Sequence, residues 1–124
     1  MTEQRGKRPG TRGLAAVREF LVAVEANDAA GDAAANAFAV HLAGLDASVL
    51  PPAADATWRK IAHLVRAPAE KPFSEKATSA IRSWPKARVG DLVGLVRELN
   101  AILEKVENDR LEDEIRDDIR RHYL

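Results

Sequence analysis

The chain has no cysteine, which excludes disulfides, thiolate metal sites and cysteine nucleophiles together. Histidine is scarce. His41, His63 and His122 are the only three, and none stands in an H-E-x-x-H or comparable metal-ligating spacing. There is no G-x-x-x-x-G-K-[ST] phosphate loop and no G-x-S-x-G nucleophile elbow. Gly6, Gly10 and Gly13 lie among basic residues, but no strand precedes them. No apolar run approaches the roughly 18 residues of a transmembrane helix, so no membrane partner is expected. The N-terminal residues lack the apolar core of a secretory signal, and a cytoplasmic protein is expected. Strand-like alternation of useful length and internal repeats are also missing.

What is there suits one small folded domain. The 124 residues are 46% hydrophobic and 31% charged, too apolar for a disordered chain. Lys and Arg number 19, as do Asp and Glu, so the formal net charge is zero. That zero conceals segregation. Residues 1–18 carry five basic residues and one acid, and residues 19–56 carry six acids and no Lys or Arg. Residues 57–88 carry eight basic residues and two acids, and residues 89–124 carry six basic and ten acidic. Blocks of opposite sign point to partners or to assembly.

Periodicity predicts an all-α compact bundle of five to six helices. Residues 1–13, MTEQRGKRPGTRG, read as a flexible basic arm, and 14–124 as a single helical domain. Leu14, Val17, Leu21 and Val24 recur at helical steps and predict a first helix over about 14–27. A second begins near Asp32 and runs through Ala34, Phe38 and Leu42 to a left-handed cap at Gly44. After Pro51-Pro52, Trp58, Ile61, Ala62 and Val65 mark an amphipathic helix over about 53–66. Ser74 can cap a fourth helix over about 75–84, ended by Pro85. Leu92, Val96, Leu99, Leu103 and Val106 form the apolar stripe of a fifth. The run Asp109-Arg110-Leu111-Glu112 reads as a capping box opening a sixth with Leu111, Ile115, Ile119 and Tyr123, although the last two helices could be one.

The catalytic inventory is thin. The cluster Glu112, Asp113, Glu114, Asp117, Asp118 could suggest a cation site, but Glu112–Arg116 and Asp117–Arg121 are i,i+4 pairs of opposite sign that need no metal. No catalytic residue, metal or cofactor is expected. A small enzyme built round His41 or His63 is the least favoured reading.

The informative stretch is 57–88. Between Thr57 and Ala69 there is no acid. Arg59, Lys60, His63 and Arg66 lie on the flank opposite the apolar face of the third helix, and Lys71, Lys76, Arg82, Lys86 and Arg88 continue the charge. Such density suits a phosphate backbone, where each neutralised phosphate releases counterions. Trp58 and Trp84 fall at core spacings. Phe73, between Pro72 and Ser74, is expected as the exposed aromatic that could stack on a base. Arg5, Lys7, Arg8 and Arg12 of the arm could track a second stretch of backbone. No helix-turn-helix is evident, so backbone contact rather than base readout is expected.

The segments TWRKIAHLVR (57–66) and KPFSEKATSAIRSWPKAR (71–88), in a small cysteine-free helical chain, resemble the small subunit of CRISPR ribonucleoprotein effector complexes. That resemblance implies a non-catalytic subunit of an antiviral ribonucleoprotein, touching RNA or single-stranded DNA through a cationic face and other protein subunits through its remaining faces. The alternative is a helical protein–protein interaction module, adaptor or self-associating scaffold that binds no nucleic acid.

Overall fold

The computed structural model describes residues 9–26 and 31–123. Among them the fold is all-α, with five α-helices and no strand. The helices are α1 (Pro9–Glu25), α2 (Gly31–Ala37), α3 (Asp55–Leu64), α4 (Glu75–Ala80) and α5 (Lys86–Tyr123). No helix among the described residues is long and apolar enough to cross a membrane.

The first helix starts earlier than its apolar stripe suggests. Pro9 opens it, where a missing N–H costs nothing because first-turn donors have no intrahelical acceptor. Gly13 is buried so close to Leu50 that a Cβ there would come within 2.7 Å of Leu50 Cδ2. Residues 9–13 of the expected arm are therefore helix, and residues 1–8 lie outside the described residues. Leu14, Val17, Phe20 and Val24 face the core. Leu21, expected in that stripe, is only half-buried, whereas Phe20, expected to widen it, is fully buried.

After α2 the helix widens into one π turn, Phe38–Leu42, closed by the Ala43 N–H donating to Phe38 O at 2.8 Å. No described glycine has a positive φ, so Gly44 does not form the expected left-handed cap. Two 3-10 turns follow. In the first, Ala47–Val49, the Asp46 carboxylate accepts from the Ser48 N–H at 2.8 Å. The second, Pro52–Ala54, leads directly into α3. Ser74 caps α4 as its sequence position suggests, accepting from the Ala77 N–H at 3.2 Å. A 3-10 turn, Ile81–Ser83, completes that segment before Pro85.

Residues 86–123 form one helix, not two. The expected box at Asp109 does not open a new helix, because no Pro or Gly interrupts the chain beyond Gly94. Asp109 instead accepts from Lys105 Nζ at 3.1 Å, one turn back, and Arg110 pairs with Glu107 and Glu114 across the expected break. The hydrogen bond to Glu107 is the first cause that raises the Arg110 pKa above its ordinary value.

One core holds the bundle. An aromatic chain crosses it: Phe20 meets Phe38 edge-on at 6.1 Å, Phe38 stacks on Phe73 at 5.2 Å, and Phe73 stacks on Trp58 at 5.3 Å. Full burial of each such ring contributes roughly 1.5–3 kcal/mol, and favourable ring geometry adds about 0.5–1.5. α1 and α5 run antiparallel, clasped by Arg18–Glu104 at 2.9 Å and Arg97–Glu25 at 2.6 Å. Part of the segregated charge thus cancels inside the molecule.

Candidate nucleic-acid interface

α3 ends in a Schellman motif. The Arg66 N–H donates to His63 O at 3.1 Å and the Ala67 N–H to Ala62 O at 2.9 Å. The residue between these bonds must turn left-handed, and Arg66 does so with φ 56°, the one positive-φ non-glycine among the described residues. The turn aims the following segment, 67–74, back across the bundle. Ala69 O accepts from the Ala47 N–H at 3.0 Å and from Trp58 Nε1 at 3.2 Å. The Phe73 N–H donates to Ala43 O at 2.8 Å. This eight-residue segment is thereby tied at Ala69 and Phe73, with Lys71 between the ties.

Phe73 corrects the expectation of an exposed aromatic. It is 6% exposed, sandwiched between Phe38 and Trp58, and offers no surface for a base to stack on. Its Pro72 and Ser74 neighbours are exposed, which made the position look like surface. Partners 35 and 15 residues away in the chain decide otherwise.

The cations divide into two groups. Arg66, Lys71 and Lys76 line a groove of about 480 Å³ whose walls are Val65, Ala67, Pro68, Pro72, Ala77 and Ala80. His63 and Arg66 line an adjoining recess with Ala67 and Pro68. Lys60 is exposed one turn before His63 on the same flank of α3, and Lys86 is exposed at the start of α5. None of these six makes a side-chain ion pair among the described residues.

The other cations are occupied. Arg59 bonds Asp55 at 2.8 Å and Glu70 at 3.3 Å. The Asp55 hydrogen bond, then its charge and that of Glu70, raise the Arg59 pKa above its ordinary value. Arg82 reaches away from the groove and donates to Asn36 Oδ1 at 2.9 Å on α2. Arg88 lies over Trp84 at 4.4 Å and donates to Leu64 O at 2.8 Å, tying the start of α5 to the end of α3. Of the arm, Arg5, Lys7 and Arg8 lie outside the described residues, and Arg12 sits in the first turns of α1.

No family model matches this chain, and no curated protein or solved structure does either.

Chemically, the groove sets flexible cations around an apolar floor, an arrangement suited to an anion. His41 pairs with Glu19 at 3.1 Å beside an open groove of about 520 Å³ between α1 and α2, lined by Ala23, Ala33, Ala37 and Val40. Among the described residues no three His, Asp or Glu side chains gather closely enough to hold a metal ion. Sequence reasoning missed that α1–α2 groove and the exposure of Val22 and Val40 on its rim. Alanine-rich helices carry too weak an apolar contrast to show which face stays open.

Proposed function

We propose that this protein is a non-catalytic helical subunit of a nucleoprotein assembly. It holds the phosphate backbone of RNA or single-stranded DNA in the groove of Arg66, Lys71 and Lys76, with Lys60, His63 and Lys86 alongside. The carrying observation is the convergence on one groove of three cations that have no ion-pair partner among the described residues, across a loop tied at Ala69 and Phe73. A pre-ordered loop spends little conformational entropy on binding. An apolar floor favours the flexible stems of Lys and Arg while their charged heads reach phosphate. The reading rests on this geometry and not on the resemblance to effector small subunits.

The test is fluorescence anisotropy with short labelled single strands of RNA and DNA at rising salt. Three phosphate contacts give a slope of log K against log salt of about −2. Replacing Arg66, Lys71 and Lys76 together with Glu abolishes binding at low salt. Absence of binding by the native protein at low salt, or binding indifferent to that triple change, refutes the proposal.

A second reading, a protein-interaction module, draws on a different observation. Leu111, Ile115 and Ile119 are exposed along α5, at the opposite end of that helix from the groove. Arg88 and Ile115 are about 40 Å apart along the axis, so both surfaces can be occupied at once.

A further inference from the structure

The C-terminal third of α5 leaves the bundle. Leu103 is the last core residue, and every residue from Leu111 to His122 is exposed. Leu111, Ile115 and Ile119 are 42%, 59% and 52% exposed. At 3.6 residues per turn they lie between about 80° and 160° around the helix from Leu103. Their stripe thus begins at the edge of the core face, at the angle of the buried Val93, and turns away from that face toward Ile119. A helical segment of this length is marginal in water without tertiary packing. This one is held by continuity with the bundle and by pairs such as Arg110–Glu114 at 2.6 Å and Lys105–Asp109 at 3.1 Å.

The charge along the extension is polarised. Residues 107–114 carry five acids against Arg110, whereas 115–122 carry Arg116, Arg120 and Arg121 against Asp117 and Asp118. The sequence from 111 to 123, LEDEIRDDIRRHY, also has an internal symmetry about Asp117. Positions equidistant from that centre are Ile115 and Ile119, Leu111 and Tyr123, Arg116 and Asp118, Glu114 and Arg120, Asp113 and Arg121, and Glu112 and His122. Each pair is apolar with apolar or acid with base.

We infer that the extension of α5 pairs with the same segment of a second copy, antiparallel and centred on Asp117. In that register equidistant positions stand at the same level along the pair. Apolar residues therefore meet apolar residues, and every charged level meets its opposite except Asp117 at the two-fold, which lies about 160° around the helix from both Ile115 and Ile119 and so faces away from the partner. Parallel pairing sets the acidic half beside the acidic half, and like charges at close range disfavour it. The register also keeps the two bundles apart, since Leu103 of one copy and Leu103 of the other are separated by about 42 Å along the axis. The resulting two-fold interface is isologous. It leaves the cationic groove of each copy open at the far end of α5 and does not depend on what that groove binds.

The experiment is light scattering on the full chain over a concentration series, joined to a distance measurement. The mass doubles with rising concentration. The double substitution Ile115→Asp and Ile119→Asp keeps it at the monomer value, with the melting curve unchanged at concentrations where the native chain is monomeric, because both positions are exposed. The triple change of Arg116, Arg120 and Arg121 to Glu yields a monomer. So does that of Glu112, Asp113 and Glu114 to Arg, and mixing the two restores the doubled mass. The cysteine-free chain accepts a single spin label at Lys105→Cys, whose two copies read about 36 Å or more in the antiparallel pair and about 10 Å in a parallel one. A native protein still monomeric at about 1 mM, a dimer that survives the Ile115 and Ile119 changes, or the short label distance overturns the inference.

Discussion

Replacing Arg66 with glycine should move stability and binding in opposite directions. Arg66 occupies the left-handed position of the α3 cap at φ 56°. A residue with a Cβ costs roughly 1–2 kcal/mol there, and glycine removes that cost. Glycine also loses more freedom on folding, about 0.5–1 kcal/mol. The net gain is about 0.5–1 kcal/mol, and the thermal midpoint rises by about 2–5 °C for a domain of this size. Both cap hydrogen bonds are backbone bonds and survive the change. The same substitution removes one cation from the groove, so the salt slope for single-stranded nucleic acid becomes shallower by about 0.7. Two further variants complete the set, read by calorimetry and anisotropy on the same samples. Arg66→Lys keeps charge and strain, and Arg66→Ala keeps strain without charge. A destabilised Arg66→Gly protein would show that the arginine side chain holds the cap. Unchanged binding would show that nucleic acid does not use the groove.

Four other outcomes follow from the packing. Phe73→Ala costs about 3–5 kcal/mol in denaturant unfolding, since the ring is stacked on both faces. It also frees segment 67–74 and so weakens polyanion binding without touching a cation. Gly31→Ala destabilises by roughly 1–3 kcal/mol in the same assay, because its Cβ would come within 2.8 Å of Arg82 O. Arg88→Ala costs about 1–3 kcal/mol, leaving Leu64 O without its charged donor and Trp84 uncovered. Ending the chain after Arg110 changes unfolding free energy by less than about 1 kcal/mol, because the removed described side chains are exposed. That truncation abolishes the concentration-dependent mass.

Much of the fold was legible one helix at a time. Trp58, Ile61, Ala62 and Val65 repeat at helical steps, and all four are buried. Ser74 precedes an amphipathic turn and caps it. Both signals are local, made within a few residues and carried by backbone geometry. The errors arose where a local signal competed with a distant one. Asp109 has the form of a cap, but a helix with no breaker between 95 and 123 runs through it. Phe73 has the flanks of a surface residue, but Phe38 and Trp58 take it into the core.

The candidate groove divides in the same way. Its charge is a property of the chain, since residues 57–69 contain three basic residues and no acid. Which cations face a ligand is not. Arg59 and Arg82 look equivalent to Arg66 in sequence, yet Glu70 and Asn36 engage them, 11 and 46 residues away. The sequence alone determined that the chain is helical and where most helices lie, because periodicity and caps act within one or two turns, but not where α1 begins or that α5 runs unbroken through Asp109. It also determined the symmetry of 111–123, which is a property of order along one helix. Only the tertiary structure decided which apolar faces were covered and which charges were neutralised. Those depend on contacts between residues far apart in the chain, where burial and Coulomb attraction act through space.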